Sequence, residues 1–348
     1  RSNSSSSGDL AQAAILFGQA GVMQNQLAFS RDAEREADRV GFQTLVRAGF
    51  DPQGMVEFFE RLQKASRLYE SNAPAYMRTH PLTVERITDM QNRARGERYR
   101  QRVDRFDYLL VRARSRALAD TSVSGLRNIA DDLTDKVGHS APGRNLSTAA
   151  DYYGLAVAQL RLREFDRAAA SLAQAHARGD AHPFIAKLDA EVQIAQGRAD
   201  AAVATTEAAR KRWPTSALLR IAYAQALQAA GRHADAVGYL REQTTLYRGD
   251  ARLFELLAQS YAAVGQQARS HLALAEVYRL RGSTASAVEQ LEQAQRLTRA
   301  ETTPDEFALA SEVNARLREV RAQLQDEVRE RGAQNGGANW QAGAEHRH

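Results

Sequence analysis

The chain has no cysteine, so neither a disulfide nor a thiolate metal site is available to it, and its redox compartment stays open. Proline and glycine are sparse, at 7 and 22 in 348 residues, which removes the commonest helix breakers. Alternation of β-branched with polar residues is nearly absent, whereas Ala, Leu, Arg and Gln abound. The chain therefore reads as all-α. No stretch approaches the ~20 consecutive apolar residues of a membrane span, so no transmembrane segment is expected. A strong charge of one sign is missing too: 47 basic residues meet 42 acidic ones, for a net +5. The charges are interspersed except in the Arg-rich run from Arg93 to Arg105. No helix-turn-helix, zinc finger or aromatic-interleaved motif accompanies that run, so it reads as a solvated helix face and nucleic acid is not an expected partner.

A further absence bears on chemistry. None of the eight histidines has a second histidine four residues on, so the chain holds no His-Glu-x-x-His metal-binding helix.

Two stretches stand out among what is present. The first is Phe29-Ser30-Arg31-Asp32-Ala33-Glu34-Arg35-Glu36-Ala37-Asp38-Arg39-Val40-Gly41. Ser30 suits an N-cap, Asp32 suits the positive helix start, and strong helix formers follow to Gly41. Glu34 and Asp38 share one face with the small residues Ala37 and Gly41, a strip that would let a second backbone approach closely. The residues alone allow two readings. The carboxylates are a solvated face paired with Arg31 and Arg35, or one binds a cation while the other orients an imidazole. The second stretch is Thr79-His80-Pro81-Leu82-Thr83-Val84-Glu85-Arg86-Ile87. A histidine before proline is held extended, and the following helix is expected to begin at Pro81, with Glu85 and Arg86 steadying the loop.

Together, Ser-Arg-x-x-Glu-x-x-Ala-Asp-x-x-Gly and His-Pro-x-x-x-x-Arg resemble the zinc metallopeptidases related to HtpX and the CAAX prenyl proteases. The resemblance implies a Zn2+ cofactor with Glu34 as third metal ligand and Asp38 supporting a ligand histidine. It also implies that His80 lies over the metal, either as a fourth ligand that gates the resting site or as an oxyanion donor in peptide hydrolysis. In such enzymes the other two ligands and the general base come from a His-Glu-x-x-His helix upstream. By that order, the chain is expected to be the C-terminal portion of a longer protein.

From about residue 147 the sequence repeats. Gly197, Gly231 and Gly265 are spaced 34 apart, Arg163 stands 34 before the first, and Ala168, Ala202 and Ala236 recur at the same period. This is the spacing of tetratricopeptide repeats, paired helices stacked into a solenoid. After Gly265 the register shifts by half a period, to Gly282, where a helix is expected to change partner. Exposed Tyr153, Arg161, Arg220 and Tyr223 are candidate contacts for a bound partner.

The expected domains are residues 1–100, the C-terminal part of a metallopeptidase domain with its metal-site helix at 30–48 and His-Pro loop at 79–87; a helical connector at 101–146; repeats at 147–300; a capping helix at 301–330; and a disordered tail at 331–348. The whole arrangement is similar to the BepA-type periplasmic proteases. That similarity implies a periplasmic zinc endopeptidase and chaperone in assembly and quality control of outer-membrane β-barrel proteins. Its partners would be the β-barrel assembly machinery and stalled or unfolded outer-membrane proteins. The alternative is a non-catalytic tetratricopeptide chaperone or scaffold with an incomplete peptidase domain.

Overall fold

The computed structural model describes residues 32–68, 83–97, 104–298 and 303–344. Every regular element among them is an α-helix, and the chain divides into two units, Arg1–Asp104 and Arg105–His348.

The first unit contains α1 (residues 32–47), α2 (Gln53–Leu68) and α3 (Val84–Arg95). Gly49, at φ +76°, turns the chain out of α1; its N–H reaches Val46 O at 3.0 Å and the next N–H reaches Leu45 O at 3.0 Å. A left-handed residue satisfies the orphan carbonyls at that end, and glycine adopts it without strain. Asp51 then accepts from the Gln53 N–H at 3.0 Å and opens α2. Phe42, Val56, Phe59, Ile87 and Met90 form the core, drawn from all three helices. Phe58 is 54% exposed, because the register of α2 turns Val56 and Phe59 inward. One sequence expectation changes here. Helix α3 opens at Val84 rather than Pro81, because the Thr83 hydroxyl accepts from the Arg86 N–H and fixes the N-cap there.

The second unit begins with α4 (Phe106–Ala117) and α5 (Val123–Gly138). Four helix pairs follow: α6 (Leu146–Arg161) with α7 (Phe165–Arg178), α8 (Pro183–Ala195) with α9 (Ala199–Arg212), α10 (Ala217–Ala229) with α11 (His233–Leu246), and α12 (Ala251–Ala263) with α13 (Gln267–Leu280). Each pair turns through one left-handed residue: Arg163, Gly197, Gly231 and Gly265. The residue after each sends its N–H back to the helix at 2.8–2.9 Å, as from Glu164 to Gln159 O and from Arg198 to Gln193 O. Five residues past the turn, Ala168, Ala202 and Ala236 are fully buried, where the helices cross. The 34-residue period is thus a repeat of one turn and one close crossing.

The half-period shift has the same chemistry. Gly282, at φ +76°, makes a fifth such turn between α13 and α14 (Thr284–Leu297), and Ser283 N–H reaches Tyr278 O at 2.9 Å. Helix α13 is therefore second partner to α12 and first partner to α14. The terminal helix α15 (Pro304–Ala344) lays Leu309, Val313, Leu317 and Val320 over α13 and α14, closing the solenoid. It runs past residue 330, with no proline in that stretch to stop it.

Residues 106–138, read from the sequence as a connector, share a core with the first repeat. Phe106, Leu109 and Leu110 pack with Tyr153, Ala156 and Val157. Gly154 permits the approach: a Cβ there would stand 3.2 Å from Ala113 Cβ. Val111 is 47% exposed, and the small residues Ala113 and Ala117 take the inner face. Tyr153 and Arg220, expected as exposed contact residues, are 1% and 6% exposed. Tyr153 belongs to the core, and Arg220 lies against the ring of Tyr247, which accepts its cation.

Candidate functional site

In the first unit, the one-turn spacing in α1 places Glu34 and Asp38 together, and both face Arg86 in the first turn of α3. Arg86 Nε donates to Asp38 Oδ2 at 2.7 Å and its Nη2 to Asp38 Oδ1 at 2.8 Å, a two-pronged pairing. Arg86 Nη1 lies 3.0 Å from Glu34 Oε2. One guanidinium thus holds both carboxylates. Its flat face rests on Phe59 from α2, 5.5 Å from the ring centroid. All three charged side chains are largely buried, Asp38 most deeply at 6%. The solvated-face reading is therefore excluded for Glu34 and Asp38.

Exposure separates this cluster from the charges around it. Arg35 meets Asp32 at 3.3 Å and Glu85 at 3.6 Å, but each of these side chains is more than half exposed. Such pairs contribute little. The buried triad differs, because removing one partner would strand a charge away from water. The small-residue strip works less tightly than expected: a Cβ on Gly41 would meet only the end of Met55, at an ordinary 3.8 Å.

Of the candidate site residues, Glu34 and Asp38 come together, while His80 falls outside the described residues. The sequence reading gave Arg86 the task of steadying the His-Pro loop and missed its pairing with Glu34 and Asp38. Its signal was the arginine that ends His-Pro-x-x-x-x-Arg, three residues past a capping threonine, so that the cap sets its position on the helix.

In the second unit, polar pairs tie successive helices. His176 Nε2 meets Asp189 Oδ2 at 2.6 Å between α7 and α8. The hydrogen bond to Asp189 raises the His176 pKa above its ordinary 6.5, against the opposing effect of burial. His182, the N-cap of α8, meets Asp107 Oδ1 of α4 at 2.6 Å, and that hydrogen bond holds the Asp107 carboxyl below its usual range.

Comparison with known proteins agrees with this division. Residues 1–94 match peptidase family M48, and residues 193–260 match the tetratricopeptide repeat. The chain is similar to the beta-barrel assembly-enhancing protease of Escherichia coli (strain K12), 31% identical over 79% of this chain and 55% of that protein. It is also similar to the protein of the same name from Yersinia pestis, 30% identical over 77% of this chain and 54% of that one. The chain spans about half the length of the curated relatives it matches. A solved tetratricopeptide-repeat protein, YrrB, aligns over 53% of this chain and 97% of its own at 14% identity, with a TM-score of 0.37.

Family M48 implies a metal. The described residues hold no group of three His, Cys, Asp or Glu side chains that could bind one. They fit part of a ligand set: Glu34 is a carboxylate fixed in place by Arg86, of the oxygen-donor class zinc accepts beside histidine.

Proposed function

We propose that this chain, which carries a peptidase family M48 segment followed by tetratricopeptide repeats, is part of a zinc endopeptidase that works in the periplasm on outer-membrane β-barrel proteins during their assembly. The observation that carries the reading is Arg86 clamping Glu34 and Asp38 together in a buried site. A metal ligand needs an outer shell that fixes its orientation, and this pairing supplies one.

In this reading Glu34 gives one oxygen to zinc, and residues outside the described part complete the set. Zinc, when bound, supplies a Lewis acid that polarises a carbonyl or lowers the pKa of water. Asp38 holds Arg86 by both oxygens, and Arg86 holds Glu34, so that the carboxylate keeps its direction as a ligand. His80 stands over the metal as a gate in the resting state or as a hydrogen-bond donor to the developing oxyanion. The repeats hold the β-barrel assembly machinery or an unfinished substrate, and the names of the relatives support that assignment.

The test is cleavage of a urea-denatured β-barrel protein by the zinc-supplemented complete protein, the one that supplies the His-Glu-x-x-His helix. Chelator-sensitive cleavage is expected; binding of the substrate without cleavage would favour the scaffold reading instead. His80→Ala separates the two roles of the histidine. Faster cleavage identifies a gate, and a loss in kcat identifies an oxyanion donor.

A further inference from the structure

Near the end of the solenoid, the half-period shift leaves a cavity of about 380 Å³ between α11, α12, α13 and α15. Its wall is arginine-rich: Arg241 from α11, Arg248 from the turn after it, Arg269 and Arg279 from α13, and Arg316 from α15. Two glutamates, Glu276 and Glu312, face the same space, so the wall carries a surplus of three positive charges; Asp305, which pairs with Arg269 at 2.8 Å, and Glu319, which pairs with Arg316 at 2.7 Å, reduce it to one. Glu276 is shared between Arg279 at 2.8 Å and Arg316 at 2.7 Å. Arg241 and Arg248 make no ion pair among the described residues, and Arg248 spends its Nε on the Thr245 carbonyl at 3.3 Å. The floor is apolar, built from Phe254, Leu257 and Leu272 beside the buried ring of Tyr261.

We propose that this cavity binds an acidic, partly apolar segment of a partner polypeptide, with Arg241 and Arg248 receiving its carboxylates. Three features select that occupant. The surplus of guanidinium calls for anions, and guanidinium pairs with carboxylates by parallel hydrogen bonds. Arg241 stands in the last turns of α11 and Arg248 in the turn beyond its end at Leu246, so the two open guanidinium groups come from separate elements and suit a chain bearing several carboxylates. The apolar floor would stay wet under a phosphate and is covered by the side chains of a peptide. The site belongs to the last repeat and the helix that closes the solenoid, and it needs residues from both.

The proposal rests on the repeats being the binding element, and it is tested by binding alone, so the outcome does not depend on peptidase activity. The probe is a fluorescein-labelled peptide, Glu-Leu-Glu-Phe-Glu-Leu-Glu, titrated with the full chain and followed by fluorescence anisotropy. Its glutamine counterpart keeps the shape and removes the charge. The acidic peptide is expected to bind at least roughly tenfold more tightly than the glutamine peptide, and to lose roughly tenfold in the double variant Arg241→Gln, Arg248→Gln. Arg212→Gln, which removes a charge stacked on Trp213 outside the cavity, is expected to leave binding unchanged. Equal affinity for the two peptides would overturn the proposal, as would unchanged binding by a double variant with wild-type helicity. Full displacement of the acidic peptide by an equal concentration of inorganic phosphate would mean a free-anion site and would also overturn it.

Discussion

Arg86 donates to both carboxylate oxygens of Asp38, at 2.7 and 2.8 Å, across 48 residues of sequence. The pair locks α3 onto α1, and the remaining guanidinium nitrogen reaches Glu34 at 3.0 Å. One long-range contact therefore serves the fold of the first unit and the orientation of the proposed metal ligand.

Arg86→Lys keeps the charge and loses the fork. Because a lysine cannot pair two carboxylates at once in this geometry, the first unit is expected to lose about 2 kcal/mol, less than the roughly 3–5 kcal/mol for removing one partner of a buried pair outright. Hydrogen exchange would show the amides of residues 32–47 and 84–95 opening faster while those of the repeats hold. Unchanged protection in both helices would show that the clamp adds nothing to stability.

Arg163 sits at φ 64°, where the three turns that follow it at the same period have glycine. A side chain in that region costs on the order of 1 kcal/mol, and the stacking of Arg163 near Phe165 at 6.0 Å offsets only part of it. Arg163→Gly is expected to raise the melting temperature by about 2 °C, and Gly231→Ala to lower it by a similar amount. A calorimetric scan of both variants checks the sign.

Gly154→Leu would drive a side chain into Ala113, whose Cβ and carbonyl oxygen already stand 3.2 and 3.3 Å from an ideal Cβ. Loss of about 2 kcal/mol is expected, together with faster proteolysis within α4. A variant as stable as the parent would mean that α4 does not depend on this close packing.

The His176–Asp189 pair makes stability depend on pH. Its hydrogen bond raises the folded-state pKa of His176 above 6.5, the value near which the unfolded chain titrates. The folded form therefore holds its proton more tightly. The stabilisation is complete below that value and fades as pH rises through the elevated folded pKa. His176→Gln should consequently cost more at about pH 6 than at about pH 9, read as the difference in melting temperature from the parent at each pH. An equal cost at both would remove the histidine from the pH response.

The repeats were legible because their determinants are local. A left-handed turn every 34 residues selects glycine, and the tight crossing five residues later selects alanine, so both leave a mark in composition. The same logic exposed the half-period shift at Gly282, where α13 changes partner. Contacts set by tertiary register were not legible. Phe58 and Val56 are two residues apart, and only the packed core decides which turns inward. Arg220 looks like a surface residue until the ring of Tyr247 is in place beneath it. At the candidate site the pairing of Glu34 with Asp38 followed from helix geometry. Their shared partner Arg86 lay two helices away, and its direction depends on the Thr83 cap.

The central claim is that Glu34 is a metal ligand held by Arg86, and zinc stoichiometry in the parent and in Glu34→Gln tests it most directly. Glutamine keeps the size and can still meet Arg86 through its carbonyl oxygen, while a neutral amide is a poor zinc ligand. In the complete protein, which supplies the His-Glu-x-x-His helix, the account predicts near-stoichiometric zinc, its loss in Glu34→Gln, and the same helical content in both. Equal zinc in the two proteins would contradict it and leave Glu34 a structural partner of Arg86.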